Sequence, residues 1–435
     1  MLLIHTSSVS NRLRYIASLL VKEILGIEVR LTTSSEEFNG YDGPKISYDR
    51  KPFGDGLFIE ASELLFESTI KPIGVRSSTF DGVPVLFESD NPLSALPFDP
   101  FAAAFYMVSR YEEYHPHQKD SFGRYLVTES IAWKAKFLEI PVVHCWAEML
   151  EGLLCKHYPG LKFHHQAYHY VPTIDIDHAW CYLGRTFART MGGFGRSFLN
   201  GHFQEISDRF SVLAGMSPDP YDSYSFISKV HEPYANNPLF FVLFADYGGN
   251  DNNVSIHAEV FRRLIVNMDQ HGKVGIHPSL TSGKHLSKFE DEYEGLCEVL
   301  DRDVAMSRQH FLKLSLPRTY RTLIQLGITD DYSMGYASHS GFRAGIAIPF
   351  PFYDLAKDEA TSLMIHSVTL MDVTMRDYLR LSKVESLEKI SNMIQTIRAV
   401  NGEFVSLWHN ESLGDTGRWQ GWRSVYEEMV KLASS

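Results

Sequence analysis

The stretch Tyr170-Val171-Pro172-Thr173-Ile174-Asp175-Ile176-Asp177 decides how the chain is read. It is a short, largely apolar run that ends in two aspartates spaced two apart. Such a run, bounded by polar residues, reads as a buried strand. Side chains two apart on a strand leave the same face, so both carboxylates reach one place. Neighbouring carboxylates repel, and a divalent cation bound to at least one of them relieves the repulsion.

Downstream, short apolar runs recur at 168–176, 239–245, 274–276, 304–311, 346–350, 363–365 and 404–407. Helical patterns fit between several of them, at 257–270, 289–300 and 387–400, and the chain closes with an amphipathic stretch at 419–432. Alternating strands and helices over such a length imply a parallel sheet, open or closed into a barrel. Upstream, a strand at 2–4, a helix at 11–25 ending at Gly26 and a strand at 27–31 open a small α/β region. Residues 40–100 are broken by Gly, Pro, Asp and Asn and read as β- and loop-rich. Helices are expected at 99–114 and 142–154. The turn at Tyr158-Pro159-Gly160 marks the boundary between an N-terminal α/β accessory domain, 1–165, and a second domain, 166–435.

Polar residues follow the ends of the later strands. Asp175 and Asp177 end the first, Asp246 follows the second, His277 the third, and His409 the run at 404–408. In parallel α/β folds the strand C-termini share one face, where ligands bind. A carboxylate with imidazoles suits zinc, whereas an all-oxygen set suits magnesium. Arg308 and the glycine-flanked Arg343 are candidates to orient a carboxylate or bind substrate. Asp331, in an expected turn at 330–333, adds a carboxylate. His164, His165 and His169 precede the domain's first strand and read as incidental. The glycine-bearing segment 246–251 lacks phosphate-loop spacing and reads as a rim loop.

The bulk properties narrow the function. The 435 residues carry a formal charge of −12, with 44% hydrophobic and 22% charged residues. A net-acidic chain without a Lys/Arg run is a poor partner for a phosphate backbone, so no nucleic acid is expected. No signal peptide and no transmembrane span is read from the sequence, which points to a cytoplasmic protein. The four cysteines form no CxxC pair and suggest no disulfide framework.

These residues together resemble the NodB-type polysaccharide deacetylases, carbohydrate esterase family 4, over roughly 166–435. The resemblance implies a distorted (β/α) barrel and divalent-metal-dependent removal of acetyl groups from glycans, usually with zinc. It makes Asp175 the general base, Asp177 and His277 metal ligands, Arg308 the residue that orients the base, and His409 the general acid. Asp331, Arg343 and Asp372 fall where the family carries supporting polar residues. The chain departs from the pattern twice. Ile176 separates the aspartates, and Thr281 stands where the family's second motif histidine would be. His310, two residues past Arg308, is the candidate for the third ligand.

The expected function is therefore a metal-dependent hydrolase that removes acetyl groups from an amino sugar or polysaccharide precursor. Two alternatives stay open: a non-catalytic glycan-binding protein on the same scaffold, and a magnesium-dependent Asp-x-Asp phosphoryl or glycosyl transferase.

Overall fold

A computed structural model describes residues 1–246, 248, 251 and 253–435. The chain begins with a parallel four-stranded sheet of β1 (Leu2–His5), β2 (Val29–Thr32), β3 (Lys45–Asp49) and β4 (Leu57–Glu60), in the order β2-β1-β3-β4. The expected first helix forms as Asn11–Ala17 and continues as a wider turn over Ser18–Ile24. A two-stranded hairpin follows, β5 (Ser77–Phe80) with β6 (Val83–Leu86). Helix Pro100–Val108 starts on Asp99, whose carboxylate accepts from the backbone N–H of Phe101 and Ala102. Helix Val142–His157 completes this part, and an irregular segment leads to the next strand.

The remainder is a closed (β/α) barrel. Its strands are β7 (His169–Ile176), β8 (Leu239–Val242), β9 (Lys273–Ile276), β10 (Met306–Ser307), β11 (Asp330–Met334), β13 (Glu359–Met371) and β14 (Glu403–His409). Each pairs in parallel with its neighbours, and β11–β13 and β14–β7 pairing closes the ring. Between β11 and β13 the chain makes β12 (Phe350–Asp354), which runs antiparallel along β13.

Several expected elements change: the 304–311 strand shrinks to β10, with a helical turn at His310–Leu312, and the 363–365 strand lengthens to β13. The 330–333 turn is strand β11, hidden in the sequence because its polar residues are satisfied internally: Asp331 accepts from the hydroxyls of Ser307 and Ser333, both on the barrel wall. The 346–350 strand starts only at Phe350, because residues 335–349 cross toward the N-terminal part. There Arg343 grips Glu113 through Nε and Nη2, at 2.9 and 2.7 Å. Arg110 donates to the same carboxylate at 2.8 Å. Burial alone would raise the Glu113 carboxyl, but the two guanidiniums hold it down at about 2. The Ala347 N–H donates to His144 Nε2, Tyr15 to the Pro351 carbonyl, and Arg12 to Asp358. One apolar cluster runs through both parts of the chain.

A second, smaller cluster fills the barrel axis, with Val171, Phe241, Met306, Tyr332, Val405 and Leu407 among its members. Val171, Asp175 and Asp177 share one parity on β7, while Ile174 and Ile176 face the outer helices. A Cβ on Gly275 would come within 2.8 Å of both the Met306 carbonyl and the Phe241 ring. Only glycine lets that ring occupy the axis beneath the site.

The opposite end of the barrel is tied by His366 on β13. Its Nδ1 meets Glu403 at 2.8 Å and its Nε2 meets Asp330 at 3.1 Å, at the starts of β14 and β11. Its ring stacks on Tyr332 at 4.1 Å. Burial opposes protonation, but Asp330 and Glu403 outweigh it and push His366 up to about 9. A histidine whose folded pKa is raised stabilises the fold fully below its unfolded pKa of about 6.5, and that contribution fades as pH rises through about 9. His366→Gln should therefore lower stability by roughly 3 kcal/mol at pH 6. Urea unfolding midpoints should show the gap to wild type closing by about pH 10. A gap that does not vary with pH would contradict the ion-pair origin.

Candidate metal and catalytic site

The C-terminal ends of the barrel strands deliver the site. Asp175 closes the register of β7 against His409 of β14, so these two are neighbours by backbone pairing alone. Arg308, just past β10, is fully buried and donates Nη1 to Asp175 Oδ1 at 2.7 Å. Its Nε donates to the Tyr332 carbonyl at 2.9 Å, and its guanidinium lies 4.4 Å over the Phe241 ring. The side chain is thus held at both ends before it meets Asp175.

Asp177 sits among three imidazoles. His277 Nε2 is 3.2 Å from Asp177 Oδ1, His310 Nε2 is 3.5 Å from Oδ2, and His409 Nε2 is 3.8 Å from Oδ2. Donor atoms of Asp177, His277 and His310 all lie within 4.8 Å of one another, a set able to hold a metal ion. Asp177 Oδ1 is buried without a hydrogen bond despite the nearby nitrogen. A carboxylate oxygen left bare among ring nitrogens is costly unless a cation shares it.

Each imidazole is oriented from behind. His277 Nδ1 meets the Arg308 carbonyl at 2.7 Å, His310 Nδ1 meets Asp251 Oδ1 at 3.0 Å, and His409 Nδ1 meets Asp372 Oδ1 at 2.9 Å. Asp372 is itself fixed by the His409 N–H and the Ser412 hydroxyl. With Nδ1 occupied, all three rings present Nε2 to the centre, the arrangement by which ligating histidines are oriented.

Charge favours a cation. Asp175, Asp177, Asp251 and Asp372 crowd this cluster, and of the arginines near it Arg308 is the one that hydrogen-bonds to one of these carboxylates. The imbalance shows in the histidines. Burial would lower them, yet Asp177 and Asp251 push His310 up to about 9, and Asp372 with Asp177 pushes His409 up to about 10. Burial would likewise raise Asp177, but His310 and His277 hold it well below the usual carboxylate range.

The cluster forms the floor of a cavity of about 170 Å³. Leu312, Met371 and Leu407 are among its apolar walls, and Phe311, Tyr378 and Trp419 line it as well. Arg124, from the N-terminal part, also lines it. It donates to the Phe311 carbonyl at 3.1 Å and to the Tyr378 hydroxyl at 3.2 Å. Phe122 stacks on Phe311 at 4.8 Å, and Phe311 stacks on His310 at 4.1 Å. Phe311 and Leu312 both adopt positive φ, 60° and 54°, an uncommon conformation for bulky residues. The N-terminal part therefore braces the turn that carries His310.

Of the residues singled out in the sequence, the fold brings together Asp175, Asp177, His277, Arg308, His310 and His409, with Asp372 behind His409. Asp331 and Arg343 lie elsewhere. Asp331 is buried in the wall against Ser307 and Ser333, where burial raises its carboxyl. Arg343 does orient a carboxylate, but that of Glu113. Asp246 and Thr281 are exposed. The reading of 246–251 as a rim loop falls partly on Tyr247, Gly249 and Asn250, which lie outside the described residues. Its last residue, Asp251, is buried behind His310, a role that nothing in its local sequence signals. Arg124 was equally invisible, since it arrives from the other part of the chain.

Residues 2–159 match the profile of a family of unknown function, DUF7033. No curated protein matches the chain. Among solved structures, one from Mycobacterium smegmatis described as a polysaccharide deacetylase aligns with a TM-score of 0.40 and 15% identity, over 61% of this chain and 84% of that one. An allantoinase, Puue, aligns with a TM-score of 0.39 and 10% identity, over 62% of this chain and 86% of that one.

If the three donors act as a ligand set, zinc affinity should respond to each shell separately. His310→Ala should abolish tight binding, Asp251→Asn should weaken it by roughly ten- to a hundredfold, and Thr281→Ala should leave it unchanged. Competition with a chromogenic chelator measures all three. Equal zinc affinity in wild type and His310→Ala would remove His310 from the set.

Proposed function

We propose that the protein is a zinc-dependent hydrolase that removes an acetyl group from an acetylated amino sugar or glycan precursor. One observation carries this reading: a possible Asp-His-His ligand set lies between an arginine-held aspartate and an aspartate-held histidine, in one cavity. Nitrogen-rich donors favour zinc over magnesium, which argues against the transferase alternative. The paired Asp175 and His409 give the site acid–base groups that a binding module does not need.

When bound, the metal would supply Lewis acidity toward the acyl carbonyl and toward water. The chain's own residues do the rest. Arg308 engages Asp175 Oδ1 and leaves Oδ2 to receive the proton of the attacking water. Asp372 holds His409 Nδ1, so that Nε2 carries the proton destined for the leaving nitrogen or oxygen. The negative charge around His409 keeps that proton in place until transfer. The apolar walls limit water at the centre, which strengthens these polar contacts. Phe311, Tyr378 and Trp419 offer ring faces to the C–H surface of a sugar. In this reading residues 1–165 are an accessory domain that completes the cavity through Arg124.

The direct test is acetate release from a panel of N-acetylated oligosaccharides. Asp175→Asn should lower kcat by roughly a hundred- to ten-thousandfold with the circular dichroism of the folded chain unchanged at the assay temperature. A chelator should abolish activity and zinc should restore it. Undiminished acetate release by Asp175→Asn would sink the mechanism. Activity supported by magnesium alone would favour the transferase.

A further inference from the structure

The cavity above the Asp-His-His cluster is walled on one side by groups that bond to one another across strand ends. Around the barrel mouth the strands run β7, β8, β9, β10, β11, β13 and β14. Phe311 follows β10, Ala337 follows β11, Tyr378 follows β13, and Glu411 and Trp419 follow β14; all of them line the cavity. Arg124 spans the gap from the β10 segment to the β13 segment, because its guanidinium reaches both the Phe311 carbonyl and the Tyr378 hydroxyl. Arg376, two residues before Tyr378, continues the wall. Its Nε donates to the Arg418 carbonyl at 2.7 Å, and its guanidinium lies 5.0 Å over the Trp419 ring. The Trp419 indole N–H in turn donates to Glu411 at 3.3 Å. The wall therefore runs from β10 round to β14. On the β7–β9 side the described residues that line the cavity are Asp175, Asp177 and His277, which belong to its floor.

Arg124 sits in a wedge that the N-terminal part pushes against this wall. Residues 119–125 form a tight loop closed by the bridge between Lys119 and Tyr125. Asp120 Oδ1 accepts from the backbone N–H of Phe122 and of Arg124, both at 2.9 Å. Its Oδ2 pairs with Arg124 Nε at 2.6 Å. The Arg124 guanidinium lies 5.0 Å over the Phe122 ring, which stacks on Phe311. Each nitrogen of the guanidinium thus has a different partner, in Asp120, Phe311 and Tyr378. Swinging the side chain aside would break all three contacts.

A glycan cut at an internal ring must leave the cavity in two directions, one for each flanking sugar. The wall closes one of them. The cavity of about 170 Å³ is also below the roughly 300–1,000 Å³ of pockets that enclose a drug-sized ligand. It has room for an acetyl group and the ring that carries it. We propose that the protein deacetylates the ring at one end of a glycan, and that Phe122 and Arg124 set this end specificity by blocking a second flanking sugar. The proposal rests on the deacetylase reading above and adds the class of substrate, a chain end instead of a polymer interior. Discrimination here comes from a clash with the wrong substrate, not from added contacts to the right one.

The test uses the zinc-loaded full chain and a five-ring oligomer of N-acetylglucosamine, with fragmentation mass spectrometry to locate each lost acetyl group. Wild type should clear one terminal ring at least about tenfold faster than any internal ring. Phe122→Ala/Arg124→Ala should bring that ratio down toward unity, and Phe122→Ala alone should lower it part of the way. Loosening the turn that carries His310 slows all rings alike, whereas opening the wall changes the ratio. A ratio within one oligomer is also independent of how much enzyme is folded. Wild type that clears internal rings as fast as terminal ones would overturn the proposal and leave the deacetylase reading standing. Variants that keep the wild-type ratio would do the same. Loss of no acetyl group from any ring would overturn both.

Discussion

Crowded negative charge at the mouth of the barrel is the constraint on which the site depends. Asp175 and Asp177 emerge on one face of β7, with Asp372 and Asp251 close behind their neighbours. Buried carboxylates at such spacing persist only if each is answered. Asp175 is answered by Arg308, Asp372 by His409 and Ser412, and Asp251 by His310 and the Leu280 N–H. Asp177 alone keeps a bare buried oxygen among imidazole nitrogens. The electrostatics of the whole cluster therefore converge on one position suited to a cation.

The barrel makes this arrangement possible because parallel strands present all their C-terminal ends on one side. Residues far apart in sequence become neighbours through register, as with Asp175 and His409. The axis below is filled by Phe241 and Tyr332, and the Arg308 guanidinium lies flat on the former. That packing fixes the arginine without needing further charge. The N-terminal part adds a brace from outside, through Phe122 and Arg124 on the strained turn after His310. The structure thus places a turn with two left-handed bulky residues where a second part of the chain holds it.

Much of the barrel was legible because its strands are apolar runs cut by polar ends. Strands β7, β9 and β14 were expected within a residue or two of where they lie. Strand β11 was not, because a sequence of Asp, Asp, Tyr and Ser hides its buried character in side-chain hydrogen bonds. The helical hairpin Phe187–Leu199 and Phe203–Leu213 was also missed as an element. Its helices carry apolar stripes, but a glycine-rich segment, Gly192, Gly193 and Gly195, weakens the helical signal.

The sequence by itself determined that Asp175 and Asp177 share a face, because side-chain parity along a strand is local geometry. It also determined that His277 and His409 stand at strand ends. Only the tertiary structure decided which other groups meet them. Thr281 left a ligand unaccounted for. The fold brings His310 toward Asp177 from the end of β10, across the mouth of the barrel and beside the strand that carries His277, oriented by Asp251 from a loop 59 residues earlier. It likewise sends Arg343 away to Glu113, since a buried arginine goes to the carboxylate that packing brings within reach. Proximity across a closed barrel is set by strand order and register, and neither is written in the local pattern of any one strand.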